Sequence, residues 1–168
     1  NVIAADPRKA KEFLLARTAK GYEHAIITPH PGELKRLLPC WDGIDRIRAA
    51  RDAAREFNCI CVLKGAGTVI SEPNGKVMIN TTGNSSMAKG GSGDILAGII
   101  GALSAQGKTG TEAAALGVFL HGSCGDLAAE DKGEFCARPV DILDKLPEAF
   151  RIISKERSSY ESTFKSMG

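Results

Sequence analysis

Cys59-Ile60-Cys61-Val62-Leu63 is an unbroken apolar run. A strand with one wet face alternates polar and apolar residues, so a run like this predicts a strand covered on both faces. Helices supply such cover, and helical patterns flank the run. Ile44 to Phe57 has helical spacing, with Ile44, Ile47, Ala54 and Phe57 expected inward. Ala25-Ile26-Ile27 reads as a second short buried strand, followed by a helix through Leu34, Leu37 and Leu38. Strands alternating with helices imply an α/β fold with a mostly parallel central sheet flanked by helices on both faces.

The remaining elements fit that frame. Val2-Ile3-Ala4-Ala5 reads as the end of a strand, and Asp6-Pro7 as the N-cap and first position of a helix. Ala10, Phe13 and Leu14 make its apolar stripe, and Gly21 stops it. Thr68 to Ser71 and Lys76 to Ile79 flank Glu72-Pro73-Asn74-Gly75, a strong β-hairpin signal at an insertion or an edge. Ala113 to Glu130 reads as a long helix with Leu116, Phe119, Leu120, Cys124 and Leu127 inward. Its small residues Ala113, Ala114, Ala115, Gly117 and Gly122 permit close packing on the preceding helix. His121 reads as a core residue or a support to a site. Pro139 opens another helix with Ile142, Leu143 and Leu146 buried, and Pro147 interrupts it. The polar stretch from Ser154 is expected to fray, leaving residues 155–168 as a tail.

The chemistry concentrates in Asn80-Thr-Thr-Gly-Asn-Ser-Ser-Met-Ala-Lys-Gly-Gly-Ser-Gly-Asp94. This glycine-rich stretch feeds a helix in which Ile95, Ile99 and Leu103 share a face, with Leu96 and Ile100 beside them. Free N–H groups and the positive end of a helix dipole meet there, which favours an anion. Gly90, Gly91 and Gly93 are expected to allow positive φ and close approach of a ligand. Asp94 is the strong base of the loop. An anion site beside a carboxylate suggests phosphoryl transfer to a hydroxyl; the plainer reading is a helix-capping Asp after a glycine turn. Two further strand ends carry candidates. Thr28-Pro-His-Pro-Gly-Glu33 fixes His30 between prolines at an edge where open α/β sheets bind ligands. Lys64-Gly-Ala-Gly-Thr68 offers a cation and a flexible backbone. It is not a P-loop, because the lysine precedes the glycines.

Totals narrow the functions. The chain has 168 residues, enough for one domain with a core. A net charge of +2 and 5% aromatic residues give no case for nucleic acid or membrane binding. Cys40, Cys59, Cys61, Cys124 and Cys136 are an odd set without a CxxC pair, so a reduced, cytoplasmic setting is expected. No apolar run is long enough to span a membrane. The opening Asn1-Val-Ile suggests a piece of a longer protein.

The motifs at Thr28–Glu33, Lys64–Thr68 and Asn80–Asp94, followed by Leu120-His-Gly-Ser-Cys-Gly-Asp-Leu-Ala-Ala129, occur in this order. Over roughly residues 25 to 150 the chain resembles the ADP/ATP-dependent NAD(P)H-hydrate dehydratases, a branch of the ribokinase-like fold. The resemblance implies repair of hydrated NADH and NADPH at the expense of ADP or ATP, with Mg2+. The ring hydroxyl is phosphorylated and phosphate is then eliminated. It implies that His30 contacts the hydrated dinucleotide and that Asp94 serves the substrate hydroxyl as binding group and base. It implies that Lys64, Gly65, Ala66, Gly67, Thr68, Asn84, Gly91 and Gly93 bind the adenine nucleotide. No protein ligand set for a metal is implied. A homo-oligomer such as a tetramer is expected, as is a fused or separate NAD(P)HX epimerase.

The chain departs from the family pattern in three places. Ser85-Ser86 stands where Pro-Gly is usual, and Lys89 where Ser or Thr is usual. Lys89 is expected either to contact phosphate or to face water. Family domains are also longer, so the chain is expected to be a single domain lacking its N-terminal portion and incomplete as a catalyst. Ala4 would replace the first Asp of the family's Asp-Ala-Asp strand. Two other functions share the glycine loop: a ribokinase-like kinase for a vitamin precursor, and a nucleotide-binding module without turnover.

Overall fold

The computed structural model describes residues 5–165. Of the strand expected at Val2-Ile3-Ala4-Ala5, residues 2–4 lie outside the described residues, and Ala5 is helical rather than extended. The elements in order are α1 (Pro7–Ala19), β1 (Ile26–Ile27), α2 (Pro31–Leu37), α3 (Arg46–Glu56), β2 (Ile60–Leu63), β3 (Val69–Ser71), β4 (Val77–Ile79), a 3-10 turn (Ser85–Met87), α4 (Ser92–Ala105), α5 (Gly110–Lys132), α6 (Pro139–Asp144) and α7 (Leu146–Lys165). They form two compact units. One comprises Asn1–Thr81 and Leu96–Val118, the other Thr82–Ile95 and Phe119–Gly168.

The first unit holds the sheet, ordered β1-β2-β3-β4. β1 pairs β2 in parallel, with Ile26 opposite Ile60 and Ile27 opposite Cys61. β2–β3 and β3–β4 are antiparallel. The expected hairpin is β3–β4, and Gly75 takes the positive φ (91°) that its turn demands. It extends the sheet beyond β2, so among the described strands the sheet is mixed rather than mostly parallel.

β2 is buried at every position, as its unbroken apolar run requires. Alternation sends Cys59, Cys61 and Leu63 to one face, where they join a core with Leu14, Leu34, Leu37 and Phe57. Ile60 belongs to the other face. The start of α5 covers it so closely that a Cβ on Gly110 would lie 2.8 Å from its Cδ1. Helices thus lie on both faces of the strand. Gly117 allows similar closeness to α4, since a Cβ there would lie 2.6 Å from Cγ1 of Ile100. Leu96, Ile99, Ile100 and Leu103 of α4 are buried as expected.

Local chemistry explains the helix starts. Asp6 caps α1 by accepting the Lys9 N–H at 3.2 Å, and Asp45 caps α3 by accepting that of Arg48 at 2.8 Å. The inward faces need correction. α3 starts at Arg46, so Ile44 precedes it and is 82% exposed, and Ile47 is also exposed. Ala49, Ala50, Ala53 and Ala54 form the buried face instead; short side chains let the helix lie close to its neighbours. Phe13 of α1 is 67% exposed, while Ala10 and Leu14 carry its buried stripe.

In the second unit, Leu120 and Cys124 are buried, whereas Phe119, one step round the helix, is exposed. Leu143 of α6 is exposed too, with Ile142 alone fully inward among Ile142, Leu143 and Leu146. Pro147 lies in the first turn of α7, where its missing N–H costs nothing, so it begins a helix as much as it ends one. The polar stretch expected to fray from Ser154 is helical to Lys165. Among the described residues no helix is long and apolar enough to cross a membrane.

Candidate functional site

The sequence candidates divide between the units. His30 and Lys64 to Thr68 belong to the first; Asn84, Gly91, Gly93 and Asp94 belong to the second.

In the first unit, parallel pairing brings the C-terminal ends of β1 and β2 side by side. The Lys64 N–H donates to the Pro29 carbonyl at 2.9 Å, continuing the ladder past the strands. His30 and Lys64 therefore emerge from adjacent strand ends. His30 is the N-cap of α2: its Nδ1 accepts the N–H groups of Gly32 (3.1 Å) and Glu33 (3.3 Å). The Glu33 carboxylate returns the bond, with Oε2 accepting the His30 N–H at 2.8 Å. This is a capping box with histidine in the place usual for Ser or Thr. Because Nδ1 accepts, the ring proton sits on Nε2, which lies 3.5 Å from Glu33 Oε2.

Sequence reasoning passed over Glu33, which is the centre of this cluster. It is buried, and Lys64 Nζ lies 3.8 Å from its Oε2. Burial pushes its carboxyl up, but the bond from the His30 N–H, the His30 ring and the Lys64 ammonium together outweigh burial and hold it below the ordinary Glu value. The available signal was Glu three residues after a capping residue, read only as a family motif.

The Lys64–Thr68 turn is held from within by Thr68 Oγ1, which donates to the Gly65 carbonyl at 3.1 Å. Gly65 (φ 145°) and Gly67 (φ 62°) occupy the left-handed side of backbone space, which explains glycine at both. Arg46, also unmarked in the sequence, donates to the carbonyls of Leu63, Lys64 and Ala66.

In the second unit, Asp126 of α5 organises the loop before α4. Its Oδ2 accepts the Gly83 N–H at 2.8 Å and its Oδ1 accepts from Asn84 Nδ2 at 2.9 Å. Asn84 Oδ1 in turn accepts the Ser86 N–H at 3.0 Å. Asn84 thus shapes the loop. Gly122 and Gly125 of α5 make room for it: a Cβ at Gly122 would lie 2.1 Å from Thr82 Oγ1, and one at Gly125 would lie 2.3 Å from Met87 Sδ. Gly122 therefore serves the loop rather than the helix packing expected of it.

Of Gly90, Gly91 and Gly93, it is Gly91 that takes positive φ (94°). Ser92 and Gly93 already belong to α4, and Asp94 follows in its first turn, solvent-exposed, with its own N–H donating to the Gly91 carbonyl at 3.1 Å. Ser92 is buried, and its Oγ lies 3.2 Å from His121 Nε2. His121 is thus a buried support for the turn that carries Asp94. Lys89 takes neither expected role. Its ammonium donates to the carbonyls of Glu134, Phe135 and Ala137, which uses all three of its protons. Ser85 donates to Glu134 as well, so two of the departures from the family pattern hold one segment.

Among the described residues no group of three or more His, Cys, Asp or Glu side chains is placed to hold a metal ion. Mg2+ bound through nucleotide phosphates needs no such cage, since it keeps several waters and takes one or two carboxylates.

The family model described as NAD(P)H-hydrate dehydratase matches residues 8–148. The bifunctional NAD(P)H-hydrate repair enzyme Nnr of Moorella thermoacetica is 47% identical over 134 residues, covering 78% of this chain and 25% of that protein. The ADP-dependent (S)-NAD(P)H-hydrate dehydratase of Neisseria meningitidis is 42% identical over 118 residues, covering 68% of this chain and 40% of that protein. Among solved structures, the ADP/ATP-dependent NAD(P)H-hydrate dehydratase of Bacillus subtilis, co-crystallised with ATP/Mg2+, superposes with a TM-score of 0.73 at 33% identity. The match covers 76% of this chain and 47% of that one. A ribokinase-like superfamily protein from Enterococcus faecalis matches with a TM-score of 0.67 at 29% identity, over 82% of this chain and 49% of that one. The fold is therefore ribokinase-like, and the chain spans well under two thirds of the length of these relatives.

Proposed function

The chain belongs to the NAD(P)H-hydrate dehydratase family, and on that premise we propose that its protein uses ADP or ATP to remove water from hydrated NADH or NADPH. The observation that carries the reading is the cluster at the ends of β1 and β2. There a half-exposed histidine ring and a lysine ammonium share one buried carboxylate, beside a turn with two left-handed glycines. That supplies a cation and backbone donors for an anionic ligand, and a ring N–H for a second polar one.

In this reading Lys64, Gly65, Ala66, Gly67 and Thr68 hold the adenine nucleotide, together with Asn84, Gly91 and Gly93. His30 contacts the hydrated dinucleotide. Asp94 takes the proton of the ring hydroxyl as that oxygen bonds to the terminal phosphorus and the bond to the departing nucleotide breaks. The C–O bond of the new phosphate ester then breaks, its electron pair leaving with phosphate, while the neighbouring ring carbon loses a proton to water and its C–H pair restores the double bond. Phosphate leaves where hydroxide would not. Mg2+ neutralises the nucleotide phosphates when bound. The protein is cytoplasmic and oligomeric in this reading, and works with an NAD(P)HX epimerase; the bifunctional naming of the Moorella relative supports a fused one.

The test is recovery of dihydronicotinamide absorbance when ADP or ATP and Mg2+ are added to hydrated NADH and NADPH. A panel of alcohol substrates with ATP is run beside it. Turnover of the alcohols without recovery of absorbance would make the protein a small-molecule kinase. Nucleotide binding without either reaction would make it a binding module.

A further inference from the structure

Arg46 opens α3 directly after its cap Asp45. Its Nη2 donates to the carbonyls of Leu63 and Lys64, each at 3.3 Å, and its Nη1 donates to that of Ala66. A Cβ on Gly65 would lie 2.7 Å from Nη2. Residue 65 must therefore lack a side chain both for its backbone angle and to admit the guanidinium.

A trans peptide places its C=O and N–H on opposite sides. With the Lys64 and Ala66 carbonyls turned to Arg46, the N–H groups of Gly65 and Gly67 point away from it. Neither has a backbone acceptor among the described residues, whereas the Lys64 N–H is taken by Pro29. Both glycines are exposed. The two Nη groups of the guanidinium are spent on the carbonyls of Leu63, Lys64 and Ala66, and its buried Nε–H has no partner among the described residues.

We infer that Arg46 is the positioning residue of this turn, holding the Lys64 and Ala66 carbonyls so that the Gly65 and Gly67 amides stand ready as two donors to the acceptor atoms of an adenine nucleotide. The inference rests on the reading that this turn holds the nucleotide. Lysine cannot replace Arg46, because an ammonium lacks the planar fork that reaches separate carbonyls.

The experiment follows the Gly65 and Gly67 amides by NMR in the intact, glycine-labelled protein, alone and with ADP, in wild type, R46K and R46A. In wild type ADP moves both resonances. Without nucleotide, both amides become more mobile in R46A than in wild type, with R46K between them. The Kd for ADP rises about tenfold in R46A, the loss of one or two oriented hydrogen bonds. The KM for nucleotide rises with it, while kcat at saturating nucleotide changes far less. An R46A protein with wild-type amides and wild-type affinity overturns the inference. ADP that binds wild type without moving these two amides overturns the donor assignment and leaves the proposed function standing. A wild type that binds no adenine nucleotide overturns both. If R46A does not fold, R46K and the wild-type shifts still decide.

Discussion

Lys64 Nζ stands 3.8 Å from Oε2 of Glu33, the same oxygen that accepts the His30 N–H at 2.8 Å. One buried carboxylate thus serves both residues that the family pattern assigns to different ligands. Its negative charge holds a cation and a ring at fixed places on two adjacent strand ends, and any ligand anion there competes with it for Lys64.

Lys64→Ala should weaken ADP binding about tenfold or more, since a charge-assisted phosphate contact is worth roughly 1.5–3 kcal/mol. Calorimetry decides. An unchanged affinity would leave Lys64 as the partner of Glu33 and nothing more.

Glu33→Gln keeps the shape of the capping box and removes its charge. The Glu33 carboxyl is held below the ordinary value of 4.5 in the folded protein, because the His30 N–H bond, the His30 ring and the Lys64 ammonium outweigh burial. A depressed folded value stabilises the protein above the unfolded value, and that contribution fades as pH falls through the folded one. Thermal melts should show wild type above the variant at neutral pH, with the gap closing as pH falls from the ordinary value of 4.5 through the lower folded one. A gap that stays constant down to pH 2 would show that the charge is not what matters.

His30 caps α2 as well as facing solvent, so His30→Ala would also lose a cap worth about 0.5–2 kcal/mol. His30→Asn keeps a good capping group and is the cleaner change. It should raise KM for the hydrated dinucleotide several-fold and leave KM for ADP nearly alone. The opposite pattern would exchange the two subsites.

Much of this was readable from local chemistry. Asp6-Pro7 caps a helix, Asn74-Gly75 turns a hairpin and the run to Leu63 is a buried strand, because each is decided by neighbours in sequence. The failures share a cause. Helical spacing shows that Phe13, Ile44, Phe119 and Leu143 sit near an apolar stripe, but not which edge of the stripe another element covers. Arg46, Asp126 and Lys89 act on loops that lie 17 or more residues away. Nothing beside them in sequence marks them.

Asp94→Asn should leave folding and ADP binding intact, since asparagine also suits a helix start. Turnover of hydrated NADH should fall about 10²–10⁴-fold, the usual contribution of a positioned base, as a change in kcat more than in KM. A variant with near-normal turnover would demote Asp94 to a helix-terminal acid.

Lys89→Met removes three donors to the carbonyls of 134, 135 and 137. The expected outcome is a lower Tm and faster amide exchange at residues 134–137, with ADP affinity held within about twofold, less than half a kcal/mol. A tenfold loss of affinity would return Lys89 to the phosphate contacts.

Gly122 and Gly125 let Thr82 and Met87 settle against the axis of α5. The same residues make that stretch a poor helix by itself, each costing about 1 kcal/mol relative to alanine. Its helicity is therefore borrowed from the loop it seats. The two should melt and breathe as one body, so that amide exchange along residues 119–132 keeps time with exchange at 82–89. Whatever quiets the loop then quiets the helix by the same free energy.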